Sequence, residues 1–192
     1  MSVQLSLFGV QARPPGPMDL EGLLAGAGQV TRMGGTARVS VVVDEEWRAR
    51  ALLAECALRG LAASAHPTTV EGHLAVRTAY SAALAPLGGR WLRGAVKRPP
   101  DGFALDGCRL RLWAMAAGRR DGAQAYLLRL GEHDAPMWEM SGAALVGLGL
   151  PAALLGPRAG GPAYRILGRR RLARLAEIVG DAPPTAPPDA WP

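Results

Sequence analysis

An amphipathic stretch, EEWRARALLAECALRG, ends at Gly60-Leu61, and a second, MWEMSGAALVGLG, reaches Gly149-Leu150 at the same point, 89 residues later. A recurring unit constrains a fold more than any one segment, because similar units must bury similar faces. Around the first stretch the chain reads helix, two strands, helix, two strands, helix. LEGLLAGAG (20–28) is a short apolar helix rich in small residues. QVTRM and TARVSVVV flank Gly34-Gly35, a pair that suits a tight hairpin turn. Asp44 is the expected N-cap of the amphipathic helix and Gly60 its stop. LAASAHP and EGHLAVRTA make the second hairpin, and YSAALAPLG closes the unit.

The same order is expected again from WLRGAVKR (91–98). CRLRLWAMAAG and AQAYLLRLGEH, joined around RRDG, read as a long hairpin. PAALLGP and PAYRILG, turned by RAGG, are the last hairpin, and RRRLARLAEIVG is the closing helix. Matching glycines are offset by 72 residues (Gly22, Gly94), 89 (Gly60, Gly149) and 92 (Gly88, Gly180). The growing offset places the extra length in the second unit's first hairpin. The expected class is therefore α+β, with two αββαββ halves at about 19–89 and 90–180. Residues 10–18 are rich in Pro and Gly and read as an extended linker, and DAPPTAPPDAWP (181–192) reads as a disordered tail.

Half the chain is hydrophobic (49%), so a packed core is expected. Its apolar stretches are broken by Gly and Pro, which excludes a membrane span and, with no signal peptide in view, points to the cytoplasm. Cys56 and Cys108 lack disulfide or zinc spacing, and His66, His73 and His133 form no metal motif. No cofactor is expected. The net charge is +6, and of 22 basic residues all but Lys97 are arginine. Alternate strand residues share a face. Arg38, Arg77, Arg165 and the pair Arg109 and Arg111 then point away from apolar neighbours on four strands. With Arg32, and with Arg169 and Arg170 at the start of the last helix, they are the candidate phosphate contacts to double-stranded DNA.

The αββαββα order, with Leu20-Glu21-Gly22-Leu23-Leu24-Ala25-Gly26-Ala27-Gly28 at its start, resembles the LAGLIDADG family, which includes homing endonucleases. Leu92-Arg93-Gly94-Ala95-Val96 resembles the first half of a second motif. The likeness spans about 19–180 and implies a saddle-shaped antiparallel sheet over DNA, with two motif helices crossing through small residues. The family's nucleases place a metal-binding acid at the eighth motif position, which here is Ala27 and Pro99, so the resemblance implies a non-enzymatic domain. Asp101 and Glu21 are the only nearby substitutes. The chain also resembles the non-catalytic LAGLIDADG domain of the WhiA family of sporulation regulators, whose second motif likewise contains Leu-Arg-Gly-Ala.

Ahead of the linker stand Gln4-Leu5-Ser6-Leu7-Phe8, within a segment 1–9 too short to fold by itself. They resemble the Gln-Leu-(Ser/Asp)-Leu-Phe motif by which bacterial replication and repair proteins bind the DNA sliding clamp. A chance match in a chain of this length is roughly one in a few thousand at average residue usage. The resemblance implies that Leu7 and Phe8 fill an apolar pocket of the clamp's beta subunit and that the Gln4 amide bonds at its edge. The expectation is a replication or repair accessory protein, nucleoid- or replisome-associated, held by the clamp and by DNA or another repair protein. The alternatives are a WhiA-like transcription regulator, for whose helix-turn-helix the chain has no room after residue 180, and a clamp-recruited endonuclease with rearranged acids.

Overall fold

A computed structural model describes residues 9–192. The first half runs α1 (Glu21–Ala25), β1 (Gln29–Met33), β2 (Thr36–Val43), α2 (Glu46–Leu58), β3 (Ala63–Pro67), β4 (Leu74–Thr78) and α3 (Ala85–Trp91). Two short strands, β5 (Leu92–Arg93) and β6 (Val96–Lys97), then pair with each other. The second half runs α4 (Gly107–Ala117), β7 (Gly118–Arg120), β8 (Ala125–Arg129), α5 (Ala135–Gly147), β9 (Ala153–Leu155), β10 (Ala163–Leu167) and α6 (Arg169–Val179).

The halves repeat with a near-constant offset: α2 and α5 start at 46 and 135, and β4 and β10 at 74 and 163, 89 residues apart in both cases. The extra length therefore lies between the halves, at 92–106, and not inside the second hairpin. Gly60 and Gly149 close α2 and α5 alike. Both take positive φ (68° and 72°), and Leu61 and Leu150 each donate back to the carbonyl five residues earlier. That equivalence was read correctly.

CRLRLWAMAAG is the element read wrongly. It is the helix α4, capped by Asp106, whose side chain accepts from the Arg109 N–H. The R-L-R-L alternation imitates a strand because α4 is buried on nearly every side. It packs on α1, α2, α6 and β8, and only Arg109, Arg111 and Ala117 are partly exposed. The helix that crosses α1 is therefore 107–117 and not 92–100; Leu92-Arg93 and Val96-Lys97 are strands.

Each half folds its strands into a four-stranded antiparallel sheet, in the orders β1-β2-β4-β3 and β7-β8-β10-β9. Helices back both sheets. Val39, Val41, Val43 and Val76 face the helices in the first half; Tyr126, Leu128 and Ile166 do so in the second. The two halves meet where α1 crosses α4. A Cβ on Gly22 would stand 1.9 Å from the Arg109 carbonyl oxygen, so only glycine permits this approach. Ser141 of α5 donates to the Ala25 carbonyl and closes the end of α1 (2.9 Å).

A buried ion network ties the helices together. Glu21, 1% exposed, accepts from Trp91 and Arg109 (both 3.0 Å). Arg59 joins Asp19 (3.0 Å), and Glu55 also receives Arg111 (2.8 Å). Burial alone would raise the Glu55 carboxyl, but its hydrogen bonds and charge pairing with Arg111 and Arg59 outweigh that and hold it low.

The linker and tail also differ from expectation. Arg13 pairs with both Asp19 and Asp106, and the Val10 carbonyl accepts from Cys108 Sγ, so 9–13 is docked against α4. Burial within this cluster pushes the Cys108 thiol up. Trp191 is buried; its indole donates to the Gly180 carbonyl (2.8 Å) and the Arg111 guanidinium lies 5.3 Å over its ring. One buried tryptophan orders a proline-rich segment whose composition by itself favours disorder.

Candidate nucleic-acid interface

Side chains directly opposite on paired strands share a face. The register therefore places Gln29, Ser40, Arg77 and Ser64 in one row across the open face of the first sheet. Thr31 and Arg38 form the next row, and the Arg38 guanidinium lies over the Tyr80 ring at 4.6 Å. On the second sheet the matching row is Arg119, Leu127, Arg165 and Ala153, followed by Arg129, Ala163 and Leu155. Arg165 lies 2.7 Å from the Asp121 carboxylate on the same face.

Arg38, Arg77 and Arg165 therefore stand on the open faces, as expected. Arg32 does not: it pairs opposite Ala37 on the helix side, where a Cβ on Gly88 of α3 would meet its Cγ at 2.9 Å. Arg109 and Arg111 are helical and committed to Glu21, Asp106 and Glu55. Their charge serves the core. Arg169 and Arg170 sit on the first turn of α6 in the helix layer; Arg170 lines a groove there with Gly149 and Pro151. Arg119 and Arg129 were missed. Their signal was available, since in AYLLR the residue Arg129 alternates with buried Tyr126 and Leu128.

Between the two sheets, at the C-terminal ends of α1 and α4, lies a cleft of about 330 Å³. Ala27, just past α1, and Ala117, the last residue of α4, line it, and Arg119, Arg129, Asp44 and Glu132 surround it. Pro99 is not at this position; it lies in the connection between β6 and α4. In the second half, Ala117 at the end of α4 faces the cleft as Ala27 does in the first. Neither suggested substitute reaches the cleft lining: Glu21 is held by Trp91 and Arg109, and Asp101 is an exposed turn residue. Among the described residues, no three His, Cys, Asp or Glu side chains are grouped to hold a metal ion.

Cations meet backbone carbonyls just past α1 and at the end of α4. The Lys97 ammonium donates to the Gly28 carbonyl (2.8 Å) and contacts the Gly26 carbonyl (3.4 Å), and it pairs with Asp134 (2.8 Å). Arg48 donates to the carbonyls of Met115 (2.9 Å) and Gly118 (2.6 Å) and is braced by Glu45 (3.0 Å). Burial lowers the Lys97 pKa, with the Asp134 carboxylate opposing the shift. A helix C-terminus carries partial negative charge, so a cation there is favourable.

No protein-family model matches the chain, and no curated protein matches it. Solved structures do. The homing endonuclease I-WcaI, bound to its DNA recognition sequence, superposes with a TM-score of 0.57 at 11% identity, over 93% of this chain and 89% of that one. I-DmoI, in complex with DNA and Mn, aligns at 13% identity over 86% of this chain and 96% of its own, with a TM-score of 0.45. The chain thus has the α+β fold of the LAGLIDADG homing endonucleases, with antiparallel sheets backed by helices. At this identity the likeness is one of fold. Those neighbours being nucleases leaves activity open. No helix among the described residues is long and apolar enough to cross a membrane. The clamp-like residues Gln4, Leu5, Ser6, Leu7 and Phe8 lie outside the described residues.

Proposed function

We propose that this protein is a non-enzymatic DNA-binding accessory factor of replication or repair, held to the sliding clamp by residues 4–8. The open-face arginines carry the DNA-binding part, and the cleft between the sheets supports the non-enzymatic part. Ala27 and Ala117 face the cleft and offer no metal-binding acid, and Lys97 and Arg48 meet the backbone carbonyls there instead. Phosphodiester hydrolysis on this architecture needs divalent cations to activate water and stabilise the leaving oxygen. The arginine-bearing open faces supply what binding alone needs.

The clamp tether rests on the sequence match. A short peptide that orders on binding is expected to reach micromolar affinity, about −8 kcal/mol. Simultaneous engagement of DNA makes the second contact intramolecular and raises avidity roughly 100-fold or more. Titrating the protein against a sliding clamp, intact and lacking residues 1–9, tests the tether. Loss of binding on deletion supports it, and equal binding by both forms removes it.

Anisotropy with a labelled 30-base-pair duplex tests the saddle. Binding that persists in EDTA and weakens steeply with salt is expected. A second reading, a nuclease with rearranged acids, draws on Asp44 and Glu132, one from each half, at the cleft. Magnesium-dependent cutting that is lost in Asp44→Asn would establish it in place of the first.

A further inference from the structure

The two open faces differ in chemistry although they repeat in geometry. In the first sheet the four-residue row is Gln29, Ser40, Arg77 and Ser64, with Thr31 and Arg38 beside it. Every member of those rows carries a hydrogen-bonding group. In the second sheet the row is Arg119, Leu127, Arg165 and Ala153, and the next is Arg129, Ala163 and Leu155. Outside its arginines, that face offers no hydroxyl or amide in these rows. Strands lie about 4.8 Å apart, so four span roughly 14 Å, close to the roughly 12 Å width of a major groove.

Base edges are distinguished by paired donors and acceptors, which amides, hydroxyls and arginine supply. Phosphates need only positive charge and position, which arginines among apolar side chains supply; Arg119 and Arg129 do so here, while Arg165 is paired with Asp121. We infer that the bound duplex is read asymmetrically: the first sheet (29–78) discriminates bases in one half-site, while the second (118–167) grips the other through its backbone. The preferred ligand is then a non-palindromic duplex with sequence preference confined to one side of its centre. This inference rests on the DNA-binding reading above and specifies it further.

The test is selection of duplexes with a randomised 30-base-pair core by the full-length protein, followed by anisotropy on the enriched sequence and on scrambled DNA. Enrichment is expected over one half of the site only. Ser40→Ala with Ser64→Ala should reduce the preference for the enriched sequence about tenfold and change affinity for scrambled DNA less than twofold. Arg119→Ala with Arg129→Ala should weaken both duplexes by the same factor and lower the salt slope by about 2, at roughly 0.9 per phosphate contact. Equal enrichment in both halves, or none in either while DNA still binds, overturns the asymmetry and leaves DNA binding standing. Failure to bind any duplex overturns both.

Discussion

Replacing Gly22 by alanine sets two effects of opposite sign against each other. Gly22 lies in α1, and a helix-interior glycine is worse than alanine by up to about 1 kcal/mol on propensity. Propensity predicts stabilisation. The crossing predicts the reverse, since the new Cβ would lie 1.9 Å from the Arg109 carbonyl oxygen, 2.6 Å from its carbon and 2.8 Å from its Cα. All three atoms are backbone, so no rotamer change relieves the contact. A close carbon–oxygen contact is about 3.3 Å, so α1 and α4 must part by about 1.4 Å. Overpacking costs about 1–3 kcal/mol, and a backbone clash belongs at the upper end. The net expectation is a loss of about 2 kcal/mol, or roughly 4–8 °C in Tm for a chain of this size.

Gly89→Ala is the matched control. Gly89 lies within α3, and a Cβ there meets nothing within 4 Å. It should gain up to about 1 kcal/mol. Thermal unfolding followed by circular dichroism, with urea titrations of the same proteins, separates the cases. If Gly22→Ala matches or exceeds the wild type, the helices do not cross at this residue, and the cleft between the two sheets is not set by this contact.

Three further outcomes test the charge network and the tail. Lys97→Met deprives the Gly28 carbonyl and Asp134 of their donor, and should cost about 2–4 kcal/mol in urea titrations; additivity with Asp134→Asn would deny the pair. Glu55 and Asp106 both titrate below ordinary carboxylates: burial alone would raise each, but Arg111 and Arg59 outweigh it for Glu55, and the Arg109 N–H with Arg13 for Asp106. Their folded values are depressed, so their contribution is complete above about pH 5 and is lost as pH falls below about 4. Glu55→Gln should therefore lie closest to the wild type in acid, and a constant gap across pH would contradict the assignment. Trp191→Ala should lose about 3 kcal/mol if the tail is docked as described, and nothing if it is free.

Much of this architecture was legible because local signals and global packing agreed. Gly60 and Gly149 are helix stops in both senses, left-handed in the backbone and matched in the repeat. The alternation of Arg38 with Val39 and Val41 gave the right face because that strand has one wet side. The reading failed where burial erased the pattern. In α4, arginines that alternate with leucines reach Glu21 and Glu55, which are far away in sequence, as well as the N-cap Asp106. Treating 109–113 as a strand then displaced the crossing helix to 92–100 and left Ala117 unnoticed. An Asp106-Gly107 start and a Gly118 end were the available local clues. Arg32 was misplaced for a different reason: near a hairpin turn an exposed side chain can lie on either face, and only the Arg32–Ala37 pairing decides.

The cation caps connect the fold to the proposed role. Two helices whose C-termini converge on one cleft bring two partial negative charges together, and something positive must answer them. Bound metal ions can do so only if side chains hold them, and Ala27 and Ala117 offer no oxygen. Lys97 and Arg48 answer from within the chain, each braced by a carboxylate, Asp134 and Glu45. Lys97 shows the cost in its lowered proton affinity. The arginines on the surrounding sheets are then left as the positive charge that a DNA backbone would meet.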